Sequence, residues 1–448
     1  MSTPPVPDPP TSERDRTMQS HGSATGAQRP SDGETVFTYA APRLKFGAGS
    51  SSEIPWEVAS LGARRVLLVT DRGVVETGHP ERLRSLLESA GCSVAVFDQV
   101  HVEPTDESML AAVDWARAEE PFEAIIALGG GSSIDTAKAV NLLTTNPGEL
   151  SDYLNPPVGG GRAPSQPLLP LIAVPTTTGT GAESTTVCVL DVLELKVKTG
   201  ISHALLRPTV AVIDPDLTMS QPPGVTAAAG LDILCHALES YTARPYTAYP
   251  RRQPEQRVPY CGANPIADVF CEKAVGLLAG AFRRAVRDGD DAGARGDMAL
   301  AATLAGMGFG NAGVHIPHAN AYPIAGNVRD FRPAGYPDGE PLVPHGMAVA
   351  LTAPAAFELT YAGAPERHDR MAALLSSRPG PTGPRALSDE IRELMADIGV
   401  PTRLSDVGYD SGDVDILVEG ALRQQRLLAI APLDVGPAEL ERVFLASL

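Results

Sequence analysis

Between residues 65 and 214 the chain alternates short aliphatic runs with segments of helical pattern. The aliphatic runs are RVLLVT at 65–70, SVAVF at 93–97, AIIAL at 124–128, LIAVP at 171–175 and TVAVID at 209–214. Helical patterns lie at 80–90, at 107–119 and from residue 134 onward. Strands that alternate with helices need crossover connections, which make neighbouring strands parallel and cover both faces of the sheet. The sequence therefore predicts an α/β domain with a doubly wound, mainly parallel sheet.

The pattern changes near residue 218, where Ala-rich and Leu-rich helical segments replace the strands and continue to the C-terminus. A chain of 448 residues is too long for one ordinary domain, so two domains are expected. We predict a dinucleotide-binding α/β domain at 35–218 and an all-helical domain for metal and substrate at 219–448.

The first 34 residues differ from the rest of the chain, since they are rich in Pro, Ser, Thr and Gly. Such a segment buries too little apolar surface to offset the entropy lost on ordering. We predict a disordered tail at 1–34. A mitochondrial presequence is the alternative, but transit peptides are poor in acids, and this segment contains Asp8, Glu13, Asp15, Asp32 and Glu34.

Charge and cysteine content limit the partners and the setting. A net charge of −18 argues against nucleic acid and against an anionic membrane surface, and no apolar run is long enough to span a bilayer. The five cysteines contain no CxxC pair, and an odd number in a long chain does not indicate a disulfide framework. We predict a cytoplasmic, reducing setting, a small-molecule substrate and a homodimer.

A glycine-rich turn follows the run at 124–128 and leads into a helix. Its residues Gly129, Gly130, Gly131 and Ser132 let the backbone approach a phosphate, and the helix N-terminus supplies free N–H groups. Asp135 lies in the first turn of that helix, where an acid also suits the helix dipole. A tight turn without a ligand is the alternative, because the segment is neither a GxGxxG fingerprint nor a P-loop.

Two further segments follow strands of the same sheet. Thr176, Thr177 and Thr180 lie in a loop of hydroxyl groups and glycines after the run at 171–175. Asp71 ends the run at 65–70, where a carboxylate can accept ribose hydroxyls and favours NAD over NADP. Because sheets of this class bind ligands at the carboxyl ends of their strands, the loops predict a nucleotide site. A solvated loop and a helix N-cap at Asp71 are the alternatives.

An Asp–His pair and two further histidines form a candidate metal site. Asp232 and His236 lie four residues apart in a helical segment, so both side chains stand on one face. The alternative is an ordinary contact between two side chains of one helix, without a metal ion. With His318 and His345 the set has one carboxylate and three imidazoles, which suits Fe(II) or Zn(II) with one position left for a substrate oxygen.

Together these segments resemble the iron-containing alcohol dehydrogenase family, and most closely its hydroxyacid-oxoacid transhydrogenases. The family motifs present are GGGSSIDTAKA, PTTTGTGAE, DPDLT, GLDILCHALESY and PHG. The closer matches are VEPTDES, LKVKTGIS, RVPYCGANPIAD, GFGNAGVHIPHANAYPIAG and EPLVPHG. The similarity runs from about residue 36 to the C-terminus.

The resemblance implies a dehydroquinate synthase-like architecture with NAD and a metal, iron rather than zinc, in the cleft between two domains. It implies that the ligands are Asp232, His236, His318 and His345. It also implies roles around NAD for Gly129, Gly130, Gly131, Ser132, Asp135, Thr176, Thr177 and Lys198.

One position departs from the alcohol-oxidising members of the family, which commonly have a second histidine four residues after a ligand histidine. This chain has Tyr322 there, and in this it resembles the transhydrogenases. Tyr322 can donate a hydrogen bond or act as a weak acid, but an ordinary pKa near ~10 makes it a poor base. Packing in the core is the alternative role. His315, three residues before His318, is interpreted as a structural residue near the site.

Acid substrates need cationic side chains, and bidentate arginine is the expected device. Our candidates are Arg257, Arg329 and Arg332. The alternative for each is an ordinary arginine of the protein surface. We predict hydride transfer through bound NAD from a hydroxyacid such as 4-hydroxybutyrate to an oxoacid such as 2-oxoglutarate. The alternative is an NAD-dependent alcohol dehydrogenase or aldehyde reductase that releases free NADH. A more distant alternative is an NAD- and metal-dependent lyase on the same scaffold.

Overall fold

A computed structural model describes residues 33–119, 121–195, 197–336 and 341–448. The predicted tail at 1–34 lies outside the described residues, apart from its last two. Gly33 forms an isolated β-bridge with Pro250, and the backbone N–H of Glu34 donates to the carbonyl of Tyr249 at 2.8 Å. The described part of the chain therefore begins in contact with the segment that follows residue 245.

The strands form one large sheet and one hairpin. Their bounds are β1 Arg43–Phe46, β2 Arg65–Val69, β3 Ser93–Phe97, β4 Ala124–Gly129, β5 Leu171–Pro175, β6 Val187–Val192, β7 Val197–Ser202 and β8 Val210–Ile213. Within the described residues, the large sheet has six strands in the order β1-β8-β5-β4-β2-β3, and all its pairs are parallel. The predicted doubly wound, mainly parallel sheet is confirmed.

Three strands were not predicted from the sequence. Strand β1 is an exposed edge strand, so it lacks the continuous aliphatic run of a strand covered on both faces. Strands β6 and β7 form an antiparallel hairpin apart from the main sheet. Strand β7 contains Lys198, Thr199 and Gly200, so it resembles an irregular polar segment when read from the sequence. Strand β6 is mostly buried, but Asp191 interrupts its short aliphatic run.

The helices of the first half connect the strands of the sheet. Their bounds are α1 Ile54–Ser60, α2 Arg72–Glu76, α3 His79–Ser89, α4 Asp106–Glu119, α5 Gly131–Thr145 and α6 Leu150–Tyr153. Helix α5 begins directly behind β4, and most of its residues are buried. The glycine-rich turn is therefore the N-terminus of a buried helix.

The second half of the chain is helical. Its helices are α7 Pro223–Thr242, α8 Pro265–Arg287, α9 Ala292–Ala312, α10 Ile316–Gly326, α11 His345–Thr360, α12 Pro365–Leu375, α13 Ala386–Asp397, α14 Val414–Leu422, α15 Gln425–Leu428 and α16 Pro437–Ala446. Helix α7 is central: its residues from Leu231 to Thr242 are all buried, and it packs against α8, α9 and α11. Polar side chains on α7 thus face other helices instead of water.

None of the helices in the described residues combines the length and the hydropathy that a membrane crossing needs.

Candidate active site

The sheet brings the three predicted nucleotide segments together. Strands β5, β4 and β2 are adjacent, and they end next to Thr176, Gly129 and Asp71, respectively. The chain leaves β2 toward β3 on one side, while β4 lies on the other side. The strand order thus reverses between β2 and β4, which is the topological switch point where open α/β sheets bind ligands.

The turn after β4 is too crowded for larger residues. A Cβ on Gly129 would lie 2.3 Å from Oγ of Ser133, and one on Gly131 would lie 2.8 Å from the side chain of Thr180. A larger residue at either position would therefore force a neighbouring side chain or the turn to shift. The absence of side chains leaves the backbone N–H groups at the start of α5 open to an anionic ligand.

Asp71 has contacts on both of its carboxylate oxygens. Its Oδ1 accepts from the backbone N–H of Val74 at 3.0 Å, so Asp71 is the N-cap of α2. Its Oδ2 accepts from the hydroxyl of Ser133 at 3.1 Å. The helix-cap interpretation is thus confirmed, and the same carboxylate lies at the switch point, where ribose contacts stay a prediction.

Two buried lysines lie near the turn, and each has acidic partners. Nζ of Lys138 donates to the carbonyl of Val187 at 2.6 Å and lies 3.3 Å from Asp135 Oδ1. Nζ of Lys198 lies 2.7 Å from Glu103 and 2.8 Å from Asp191. Burial opposes the charge of Lys198, but these two carboxylates raise its pKa above the usual value. Lys198 is therefore a charged lysine whose positive charge is balanced by two carboxylates.

The predicted metal ligands meet in the helical half of the chain. Oδ1 of Asp232 lies 3.5 Å from Nε2 of His236, 3.4 Å from Nε2 of His318 and 3.8 Å from Nε2 of His345. The ligand atoms of Asp232, His318 and His345 all lie within 4.8 Å of one another. These three residues come from α7, α10 and the start of α11, so packing of the helices assembles the cluster.

The cluster fits a divalent cation on the chemistry of its buried atoms. Among the described residues, Oδ1 of Asp232 and Nε2 of His318 are buried without a hydrogen-bond partner. Buried polar atoms are normally paired, so orphaned atoms that face one another need an explanation. One carboxylate and imidazole nitrogens around one point suit iron or zinc. The role of the four residues as metal ligands stays a prediction, which this geometry supports.

The electrostatics of the cluster favour a positive charge at its centre. Burial opposes ionisation of Asp232, but the imidazoles of His236 and His345 hold its pKa below the usual range. Burial also opposes the charge of His318, yet Glu239 and Asp232 raise its pKa to about 9. The carboxylates thus attract one positive charge, which a proton or a metal ion can supply.

Glu239 is a residue that sequence reasoning missed. Its Oε1 lies 2.6 Å from Nδ1 of His318, and its side chain is fully buried. Asp232, His236 and Glu239 follow one another at i, i+4 and i+7, so the helical period contained the information. A carboxylate can only accept at this position, which makes Nδ1 the protonated nitrogen and leaves Nε2 free to bind a cation.

The neighbours of the cluster have separate partners. His236 stacks on Phe309 with ring centroids 3.8 Å apart, and burial lowers its pKa to about 3. Nε2 of His315 lies 3.2 Å from the hydroxyl of Thr242. Tyr322 lines the cleft, with its ring centroid 6.5 Å from that of His345, and burial raises its pKa.

The three predicted substrate arginines lie elsewhere. Arg257 pairs with Glu34 at 2.9 Å, and Arg329 pairs with Asp413 and donates to a carbonyl at 3.1 Å. Arg332 is an exposed residue of the same loop as Arg329. Among the described residues that line the cleft at the cluster, these three do not occur. Their contact with substrate stays a prediction.

A different arginine lines that cleft, and sequence reasoning missed it. Arg426 in α15 shares the cleft with Tyr322, His345 and Lys198. Nothing in its local sequence pointed to the site, because α15 reaches the cleft through the packing of the helical half. The cleft has a volume of about 170 Å³ and is lined by both halves of the chain.

The N-terminal turn of α5 at the switch point and the carboxylate–histidine cluster thus line one cleft, an arrangement that suits an oxidoreductase with a nucleotide and a metal ion. Residues 41–215 match the family model of iron-containing alcohol dehydrogenases, and residues 255–447 match that of the C-terminal part of Fe-containing alcohol dehydrogenases. The chain belongs to the iron-containing alcohol dehydrogenase family.

Similar proteins agree with this assignment. The mitochondrial hydroxyacid-oxoacid transhydrogenase of Xenopus tropicalis is 42% identical over 436 residues, which cover 95% of this chain and 94% of that protein. The protein of the same name from Homo sapiens is 41% identical over 422 residues, covering 92% and 90%. The resemblance inferred from the motifs is therefore confirmed.

Solved structures share the fold. A 1,3-propanediol oxidoreductase superposes with a TM-score of 0.80 at 30% identity, over 92% of this chain and all (100%) of that one. The sulfoacetaldehyde reductase of Bifidobacterium kashiwanohense, solved in complex with NAD+, has a TM-score of 0.77 at 27% identity, over 92% and 98%. The dehydrogenase fold thus extends over the described chain.

Proposed function

We propose that this enzyme transfers a hydride through bound NAD from a hydroxyacid such as 4-hydroxybutyrate to an oxoacid such as 2-oxoglutarate. The observation that carries the proposal is the identity of 41–42% to proteins named hydroxyacid-oxoacid transhydrogenase, over more than nine-tenths of the chain. NAD fits the open backbone at the switch point, and Fe(II) fits the carboxylate–histidine cluster.

The bound groups supply the reactive chemistry. When bound, a divalent metal ion would polarise a substrate oxygen, and the nicotinamide of NAD would accept and return the hydride. The chain's part is to hold these groups in position. Ligand atoms of Asp232, His318 and His345 lie within 4.8 Å of one another, and His236 lies 3.5 Å from Asp232. Glu239 fixes the tautomer of His318 so that its Nε2 faces Asp232.

Tyr322 lines the cleft beside the cluster, with its ring centroid 6.5 Å from that of His345. Because burial raises its pKa, the phenol stays protonated at neutral pH and donates a hydrogen bond instead of accepting a proton. We propose that Tyr322 orients the oxygen of the hydroxyacid or oxoacid. Retention of NADH between the half-reactions would let one cleft serve both acids in turn.

A second function is supported by the structural similarity to a 1,3-propanediol oxidoreductase. An alcohol dehydrogenase or aldehyde reductase with the same residues would release NADH at each turnover. The two functions differ only in whether the cofactor leaves, so a turnover experiment without added cofactor separates them.

The experiment uses purified protein, 4-hydroxybutyrate and 2-oxoglutarate, with no free NAD. We expect succinate semialdehyde and 2-hydroxyglutarate to form in equal amounts, and neither acid alone to sustain turnover. The Asp232→Asn variant is the matched inactive control. A strict need for added NAD together with release of NADH would instead establish the alcohol dehydrogenase.

The cellular compartment and the oligomeric state also stay proposals. The cysteines Cys92, Cys188, Cys235, Cys261 and Cys271 are all free thiols, which suits the reducing, cytoplasmic setting predicted above. The relatives are named as mitochondrial proteins. Fractionation of the source cells would decide the compartment, and sedimentation of the purified protein would test the predicted homodimer.

A further inference from the structure

Arg426 is a cation of the cleft that differs from its neighbour Lys198 in its partners. Among the residues that the structure describes, no carboxylate oxygen lies within 4.0 Å of the guanidinium of Arg426. The other cation there, Lys198, is held between Glu103 and Asp191 and is only 7% exposed. Arg426 is therefore the positive charge of the cleft that is available to an anionic ligand.

The guanidinium of Arg426 is held in place by an aromatic ring. Its Cζ lies 4.9 Å from the ring centroid of Tyr260, which is a cation–π contact. A guanidinium stacked in this way keeps N–H donors at its edge for a carboxylate. Burial raises the pKa of Tyr260 to about 12, although Arg426 opposes this shift, so the ring is neutral and does not compete as an anion.

Arg426 and Tyr260 also stand at the boundary between two cavities. Both line the cleft of about 170 Å³ that contains the metal cluster, and both line a neighbouring cavity of about 420 Å³. A cation at this boundary faces the cleft on one side and the larger cavity on the other. It can therefore bind one end of a short acid whose other end reaches the cluster.

The two proposed substrates share one structural element. In 4-hydroxybutyrate the reacting carbon is joined to a carboxylate through two CH₂ groups, and in 2-oxoglutarate the reacting carbonyl carbon is joined to its distal carboxylate in the same way. One cation at a constant distance from the reacting carbon would therefore serve both half-reactions. A cleft that retains its cofactor needs such a common anchor, since both acids must occupy the same space in turn.

We propose that Arg426, stacked on Tyr260, forms a carboxylate-binding subsite that holds the distal carboxylate of both acids. This proposal rests on the proposed function, since it takes both substrates to be acids. Charge-assisted hydrogen bonds from a guanidinium are the strong type.

The test uses two variants and an unreactive probe. Arg426→Met removes the charge and keeps much of the side-chain length, while Arg423→Met is the matched control. Arg423 is a nearby exposed arginine that pairs with Glu419 at 2.8 Å. Succinate is the probe, because it carries the CH₂CH₂-carboxylate element but has no carbon that can exchange a hydride. Its binding is measured by calorimetry on the metal-loaded protein.

We expect Arg426→Met to weaken succinate binding and to raise KM for both acids by about 10- to 100-fold, which is the range for a lost charge-assisted hydrogen bond. Arg423→Met should match the wild type, and Arg426→Lys should recover part of the loss.

The outcomes separate this proposal from the proposed function. Equal succinate binding by wild type and Arg426→Met overturns the subsite even if the wild type is a transhydrogenase, as does a wild type that binds no succinate. A rise in KM for only one acid overturns the shared anchor. Suppose that the wild type binds succinate, that Arg426→Met does not, and that the wild type transfers no hydride between acids. The subsite then stands and the proposed function fails.

Discussion

Nδ1 of His318 lies 2.6 Å from Oε1 of Glu239, and the other oxygen of that carboxylate accepts the backbone N–H of His315 at 2.6 Å. Glu239 therefore holds both the imidazole and the start of the helix that carries it. Glu239 and Asp232 belong to α7, while His318 belongs to α10, so a single helix supplies a candidate ligand and the support of another.

Replacing Glu239 with glutamine tests this support. The amide keeps the shape but loses the charge that makes the imidazole a better ligand, so we expect the affinity for metal to fall by about 10- to 100-fold. The measurement is a chelator competition with Fe(II) or Zn(II). The control is Glu358→Gln on α11, whose carboxylate pairs with Arg392 at 2.8 Å. Equal metal affinity in both variants would show that Glu239 has a purely structural role.

The glycine-rich turn gives a second prediction, for stability. In Gly129→Ala the new Cβ would lie 2.3 Å from Oγ and 2.6 Å from Cβ of Ser133, so that side chain or the turn must shift. We expect a loss of about 1–3 kcal/mol, the usual cost of overpacking. Denaturant unfolding measures it.

The matched control is Gly276→Ala in α8, where a Cβ would have no atom within 4 Å. Alanine is the better helix former, so this variant should be neutral or more stable by up to about 1 kcal/mol. Similar destabilisation by both substitutions would contradict the steric argument.

Asp71 gives a prediction for cofactor choice. Asparagine is as good an N-cap as aspartate, so Asp71→Asn should keep α2 intact while removing the negative charge at the switch point. We expect the preference for NAD over NADP to fall by about 10-fold or more, since the repulsion of a 2′-phosphate is lost. The measurement is the dissociation constant of each cofactor by fluorescence titration. An unchanged ratio would mean that Asp71 is a helix cap alone.

Glu34 gives a prediction for pH dependence. Backbone N–H groups of Arg252 and Val36 hold its pKa near about 2, below the ordinary 4.5, and Arg257 adds to this effect. A depressed pKa means that the ionised carboxylate stabilises the folded state above about pH 4.5. This contribution is lost as the pH falls from about 4.5 to about 2.

The test compares the thermal unfolding of the wild type with that of Glu34→Gln, from neutral pH down through that range. We expect the wild type to be more stable at neutral pH and the difference to vanish near pH 2. A difference that does not depend on pH would show that the side chain acts through its shape and not its charge.

Much of the α/β half follows from local sequence patterns. A strand covered on both faces must be aliphatic along its whole length, so β2, β4, β5 and β8 are visible as continuous runs. The glycines after β4 and the i, i+4 spacing of Asp232 and His236 are equally local. Periodicity and turn chemistry act over a few residues, and a sequence displays them directly.

The site itself depends on which elements meet. The carboxylate of Asp232 lies 3.8 Å from Nε2 of His345 because α7 packs against α11, and Arg426 reaches the cleft because α15 lies beside it. Arg257 and Arg329 seemed equally suited by sequence, yet their charges pair with Glu34 and Asp413. Burial and charge pairing are long-range properties, since they depend on every element that surrounds a side chain, and only the packed tertiary structure decides them.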